Sequence, residues 1–344
     1  MVNNFDIVRL FGALQVAIAN HYISYFKIGV DVSVMNAFSG VPIFFFLAGL
    51  FIPMSIKNNN NLFLFIKNRA LKIFPLMWLS VVLAVVLMFI AGYYPQTSIR
   101  GFILWFISYL IYPLYTPEYL RDYGLGAING ALWIIPTQIT FYVFCYLFYS
   151  IIKRNRSTFV IVMFILLLML KALFVNFLVP NIPIVLTKVI YTSFIVQFPM
   201  FLFDMYVYEN MEFFVNIVKG KFLLFLIVHL VFFYGIKYCL GVQFPALATN
   251  TTMFMYPFMV SLAMVVLSAG YSMPKLSDSI LKRNDISYDI YVFHLPIAGF
   301  FIEIMGTGIK SCITAMILTF IVSIISYKYI DKNISKLKTK SLRS

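Results

Sequence analysis

The first apolar segment of the chain carries polar side chains that could do chemistry. Between Phe5 and Tyr22 it sets Arg9, Gln15, Asn20 and His21 among aliphatic and aromatic neighbours. An imidazole can take a proton from a hydroxyl or carry an acyl group for a moment, and a guanidinium can hold an anion. An ionisable group near the centre of a lipid-spanning helix costs at least about 2.5 kcal/mol. Such a group is a functional-site candidate unless it snorkels to the headgroups or is tied down by an interhelical hydrogen bond.

Four further stretches carry polar or conformationally special residues. Ser287, Tyr288, Asp289, Tyr291 and His294 fall in the segment Ile286 to Pro296, which brings a second histidine into an apolar run. The third histidine, His229, lies in a purely apolar run and reads as structural. Lys67, Arg69 and Lys72 line the stretch from Phe65 to Pro75. Cations there could grip the phosphates of a cytosolic donor, or anchor the chain to lipid headgroups. From Gly130 to Tyr142 the chain sets Trp133, Gln138 and Tyr142 at a helix start. Those groups could orient a sugar, although Trp133 also suits an interfacial belt. In the segment Gly40 to Ile52, Gly49 permits close helix approach and Pro42 can bend the helix entry.

The elements that must position these residues follow from composition. Hydrophobic residues make up 62% of the 344 residues and charged residues 11%, with a mean hydropathy of +0.93. A soluble domain is about half apolar and about a quarter charged. The apolar runs last about 17–22 residues, which suits helices and not barrel strands. The fold class is therefore all-α, a polytopic transmembrane bundle. The net charge of +14 reads as a positive-inside signal and contact with anionic lipid, not as nucleic-acid binding. Cys145, Cys239 and Cys312 stand at no metal-ligand spacing and predict neither a disulfide nor a metal site. The first segment carries Asp6 and Arg9 and lacks a small-residue cleavage site, so it is expected to stay as the first helix.

Spanning helices are expected at about 6–26, 37–56, 73–92, 131–152, 157–178, 188–207, 222–240, 253–270, 286–305 and 310–329, with an eleventh candidate at 99–116. Charge arbitrates. With a cytoplasmic N-terminus, a crossing at 99–116 would send out both the Lys153 to Arg156 loop and the tail with Lys332, Lys336, Lys338, Lys340 and Arg343. If 99–116 is interfacial or re-entrant, those basic stretches fall inside with Lys219, Lys221, Lys275, Lys282 and Arg283. Ten crossings and two cytoplasmic termini are expected. Residues 1–330 form one membrane domain, residues 331–344 a basic cytoplasmic tail, and 93–130 the largest external feature, suited to a lid over an acceptor.

Five landmarks in order make the chain similar to the acyltransferase type 3 family of bacterial membrane proteins. They are the first-helix Arg9 and His21, the Gly40 to Gly49 segment with Phe44 and Phe45, the basic turn ending Ile73-Phe74-Pro75, the Leu132-Trp133 segment ending Phe141-Tyr142, and the Ser287-Tyr288, Tyr291, His294 segment. The resemblance spans nearly the whole chain. It implies transfer of an acyl group, usually acetyl from acetyl-CoA, to a surface glycan such as O-antigen, capsule, exopolysaccharide or peptidoglycan, across an inner membrane. It implies His21 as the catalytic residue, Arg9 as helper or donor contact, and Arg69 and Lys72 near the nucleotide phosphates. Asn20, Trp133, Gln138, Tyr142 and His294 then become substrate contacts. No tightly bound cofactor is implied.

Three departures mark this chain. Ala48 replaces the family's serine, and Gln138 stands where a glutamate is common, a side chain that cannot exchange a proton. Eleven residues also separate Arg9 from His21 where the family has ten, so the expected histidine register falls on Asn20. Eleven positions of regular helix leave two side chains about 20° apart, twelve about 120° apart. Either the helix contains a one-residue π-bulge or Arg9 and His21 act separately. The competing readings are a glycan transporter or flippase, which would use the same intramembrane polar groups, and a catalytically weakened scaffold of a polysaccharide synthesis complex.

Overall fold

A computed structural model describes residues 3–31, 33–57, 61–154, 156–183, 186–187, 194–241, 254–272, 276–282 and 284–334. Among the described residues the secondary structure is helical throughout. The first helix, α1 (Phe5–Leu14), runs on as a π-helical segment (Gln15–Tyr22) and a final α turn (Ile23–Tyr25). Then come α2 (Gly40–Lys57), α3 (Leu62–Ile90), α4 (Ile99–Ile111), α5 (Ile134–Arg154), α6 (Arg156–Leu173) and α7 (Phe194–Glu209). The chain continues through α8 (Met211–Val218), α9 (Phe222–Cys239), α10 (Met255–Ser272), α11 (Leu276–Leu281), α12 (Ser287–Met305) and α13 (Ile309–Ser326).

Seven helical stretches among the described residues are long and apolar enough to cross a bilayer: Val34–Lys57, Leu62–Ile90, Gly130–Tyr149, Phe222–Cys239, Met255–Ser272, Ser287–Met305 and Ile309–Ile334. The expected spans at 6–26 and 157–178 are helical too, and 188–207 is helical from Phe194 onward. Residues 188–193, Lys275, Arg283 and the tail from 335 lie outside the described residues. One expectation is corrected. The basic stretch 65–72 and the span 73–92 are not separate pieces; they form the single 29-residue helix α3, which runs through Pro75. A proline is tolerated inside a membrane helix where neighbours and local adjustments satisfy the freed backbone group. The helix ends at Gly92, where the Gly92 N–H reaches the Phe89 carbonyl and the Tyr93 N–H the Met88 carbonyl. That pair of bonds turns the chain at a positive φ of 80°. Candidate segment 99–116 yields only the 13-residue α4, about 20 Å long and short of the ~30 Å hydrocarbon core. Its N-terminus is capped by Ser98, whose Oγ accepts from the Gly101 N–H.

The chain divides into two compact units. The first holds residues 1–12, 33–62 and 137–284. Within it α2 packs on α7 and α10, α6 on α7, and α9 on α10. Its core is aromatic: Phe141 stacks on Phe201 and meets Phe45 and Phe198 edge-on or tilted. Glycines set the closest approaches. A Cβ on Gly270 would lie 2.4 Å from the Phe5 ring, and one on Gly49 would lie 2.3 Å from the Asp204 Cβ. Asn4 fastens the chain start by donating its N–H to the Gly270 carbonyl and accepting the Ser277 N–H on Oδ1.

The second unit holds residues 13–32, 63–136 and 285–344. Its spine is the α12–α13 hairpin, turned at Gly306 (φ 72°). The buried face of α13 is Ser311, Cys312, Ala315, Thr319, Ser323 and Ser326, while Ile313, Ile317, Ile321 and Ile324 are exposed. Small residues inward and isoleucines outward are what a membrane helix needs, because lipid rewards close backbone packing and not the burial of large apolar side chains. The π-helical segment and the short 3-10 turn Gly130–Trp133 both pack against α12.

Candidate functional site

The twelve-position step from Arg9 to His21 is met by a local widening of the first helix. The Ile23 N–H donates to the Ile18 carbonyl, five residues back, and the segment Gln15–Tyr22 keeps this spacing. Each added π residue absorbs one position of the sequence, so twelve positions here do the angular work of eleven in a regular helix.

At the end of the widened segment, within the second unit, His21 meets His294. The His21 Nδ1 lies 2.8 Å from the His294 Nε2, with the rings 5.0 Å apart and tilted by 20°. Tyr25, one turn on, stacks on His21 at 5.5 Å and 3°. His294 is 0% exposed, and its Nδ1 is 2.7 Å from the Tyr291 carbonyl and 3.2 Å from that of Ile290. Tyr22 secures the neighbouring backbone: its hydroxyl donates to the His294 carbonyl at 2.9 Å. With its one hydrogen used there, it accepts from the Thr319 hydroxyl at 2.6 Å.

A second layer holds α12 in place. The Asn129 amide, buried, donates to the Val292 carbonyl at 2.8 Å and to Ser80 Oγ at 3.3 Å. The Tyr109 hydroxyl donates to the Asn129 carbonyl, and the Tyr291 hydroxyl to that of Ala131. On α3, the Ile73 carbonyl accepts from the Tyr288 hydroxyl. The stretch 93–130 is a built structure: Trp105 donates its indole N–H to Tyr115, Trp78 to Leu110, and Tyr93 its hydroxyl to Tyr119.

The other sequence-based candidates are distributed as follows. Arg9, in the first unit, donates from Nη1 to Asp6 at 2.8 Å and sits 4.8 Å over the Phe51 ring. Asn20 lies on the π-helical segment. Arg69 and Lys72 stand one turn apart near the start of α3, Arg69 half-buried at 5.8 Å from the Phe65 ring and Lys72 exposed. Trp133 closes the 3-10 turn in the second unit, half-buried. Gln138 and Tyr142 lie on α5 in the first unit, both half-buried. The geometry thus joins His21 to His294, and brings in Tyr22, Tyr25, Thr319 and Asn129, which sequence reasoning did not single out. A signal for Thr319 was present: Thr319, Ser323 and Ser326 recur at one-turn spacing in an otherwise aliphatic helix.

The comparisons with known proteins agree with this architecture. The model of an acyltransferase domain family matches residues 2–328. Nodulation protein 10 of Rhizobium leguminosarum bv. viciae is 25% identical over 327 residues, covering 89% of this chain and 85% of the relative. No solved structure matches. With the family model covering nearly its whole length and apolar helices running through both units, the chain belongs to the acyltransferase type 3 family and is a membrane-embedded O-acyltransferase.

Proposed function

We propose that the protein moves an acyl group, acetyl first among them, from acyl-CoA to a sugar hydroxyl of a cell-surface polysaccharide or its lipid-linked precursor in the bacterial cytoplasmic membrane. His21 is the base. It takes the proton of the sugar hydroxyl as that oxygen attacks the thioester carbonyl; the C–O bond forms, the C–S bond breaks, and the proton passes to the departing thiolate. Arg9 assists at the donor side, and Arg69 and Lys72 meet the CoA phosphates from the start of α3. Asn20, Trp133, Gln138 and Tyr142 contact the sugar; His294, expected from the sequence to join them, is instead assigned to the base, His21, because it is fully buried with both ring nitrogens engaged. In this reading the chain crosses the membrane ten times with both termini in the cytosol, and the stretch 93–130 faces the acceptor.

The observation that carries the reading is the 2.8 Å contact between His21 and His294, inside a chain that matches an acyltransferase family from residue 2 to 328. The test is NMR of surface polysaccharide from matched strains that lack the gene, carry it, or carry His21→Ala. The ester signal should vanish in the first and third while polymer export continues. Export that stops with the ester content per chain unchanged would instead mark a transporter. Esterification preserved by His21→Ala and by Arg9→Ala, but lost on deletion, would mark a scaffold.

A further inference from the structure

We infer that His294 is a positioning residue that fixes the tautomer of His21 and makes the His21 Nε2 the atom that takes the proton. This rests on the proposed role of His21 as base. Backbone carbonyl oxygens only accept hydrogen bonds. The His294 Nδ1, 2.7 Å from one carbonyl and 3.2 Å from another, therefore carries a hydrogen. In a neutral imidazole the other nitrogen is then a bare acceptor. That nitrogen, the His294 Nε2, faces the His21 Nδ1 at 2.8 Å, so His21 supplies the hydrogen. His21 is left with a bare Nε2, and among the described residues no hydrogen-bond partner takes it.

The consequence is a relay from backbone to reacting atom. Two carbonyls of α12 set His294, His294 sets His21, and the lone pair needed for chemistry is on the outer nitrogen. When the His21 Nε2 takes a proton, the resulting imidazolium keeps donating from Nδ1 to His294, whose lone pair faces the new charge. A buried aspartate does the corresponding work beside the histidine of a Ser-His-Asp triad; here the acceptor is neutral and its orientation comes from helix backbone. The titratable groups facing the pair are Tyr22, Tyr25 and Tyr291, with Cys312 close to Tyr22. The hydroxyls of Tyr22 and Tyr291 are engaged elsewhere, on the His294 and Ala131 carbonyls.

The test uses membranes carrying the full chain, acetyl-CoA as donor and surface polysaccharide from the gene-deletion strain as acceptor. Rates are followed across pH for wild type, His21→Ala, His294→Leu and His294→Gln. His294→Leu should lower kcat about 10- to 100-fold, the loss expected when a hydrogen-bonding partner of a catalytic group is removed. KM for acetyl-CoA should stay unchanged and the acid limb of the rate profile should move to lower pH. The Gln side chain offers an acceptor oxygen, so His294→Gln should recover most of kcat and return the acid limb. Nitrogen-15 NMR of the histidine-labelled wild type reads the tautomer with no substitution, and should find the hydrogen of His21 on Nδ1. The inference is overturned if that hydrogen is on Nε2, if Leu and Gln lose activity equally, or if His294→Leu keeps kcat while His21→Ala is inactive. Full activity in His21→Ala would overturn the base assignment itself.

Discussion

The three histidines of this chain occupy two kinds of place. His229, in the first unit, and His294, in the second, are both 0% exposed. His229 is saturated. Its Nε2 donates to the Ala37 carbonyl at 2.6 Å and its Nδ1 faces Ser261 Oγ at 2.8 Å. A neutral ring with Nε2–H has Nδ1 as acceptor, and that nitrogen is covered by the Ser261 hydroxyl, which shares its one hydrogen with the Phe258 carbonyl, so neither nitrogen faces a substrate. In the second unit the same reasoning leaves one nitrogen, the His21 Nε2, with no hydrogen-bond partner among the described residues. Asp204, again in the first unit, shows the opposite extreme: it is 1% exposed, and among the described residues neither carboxylate oxygen has a hydrogen-bond partner. It is enclosed against Gly49 and a small apolar cavity lined by Pro42, Phe46 and Met259. A costly side chain in a membrane helix therefore does not by itself mark chemistry. The discriminating feature is an imidazole whose one unengaged nitrogen stands beside a second imidazole held by backbone carbonyls.

The contrast can be broken by substitution, beginning with the largest effect. His21→Ala should cost about 10²- to 10⁴-fold in acyl-transfer rate, the usual worth of a positioned general base, with protein level in the membrane unchanged. A mutant within tenfold of wild type would place His21 with His229 among structural histidines. His229→Leu should do the reverse. It strands the Ala37 carbonyl and so should lower stability by about 1–3 kcal/mol, seen as a lower melting temperature in detergent, with turnover per folded molecule unchanged. Gly49→Ala should also destabilise by about 1–3 kcal/mol, because its Cβ would fall on Asp204 and a packed helix pair must move apart. The smallest effect belongs to Asp204→Asn, which keeps shape and removes a carboxyl that has no hydrogen-bond partner among the described residues. It should change the melting temperature little, by less than about 1 kcal/mol in stability, and leave acyl transfer intact. A large loss of transfer there would move Asp204 out of the structural group.

Much of this arrangement could be read before any coordinates. Composition alone fixes a helical membrane bundle, because long apolar runs have one way to satisfy their backbone in lipid without a closed barrel. The mismatch between eleven and ten intervening residues leaves two readings, a widened helix or separate action of Arg9 and His21, and the first helix does contain a π segment, Gln15–Tyr22. His229 read as structural from its apolar surroundings, and its two nitrogens are indeed taken. The partnership of His21 with His294 was not legible, because it joins residues 273 positions apart and depends on how two helices dock. The fusion of 65–72 with the following span was missed for a different reason. A run of cations and a proline look like a boundary in sequence, yet helix propensity and packing carry α3 through both.

The widened turns of the first helix bear on how such a site tolerates change. An extra residue in a regular helix rotates everything after it by about 100°; taken up as a π segment, it is confined to the stretch Gln15–Tyr22, and the α turn from Ile23 resumes its normal course. Tyr22, clamped between the His294 carbonyl and Thr319, marks where the disturbance stops. A one-residue change of length in this stretch can therefore be taken up locally as helix widening, leaving the course of the chain beyond Ile23 undisturbed.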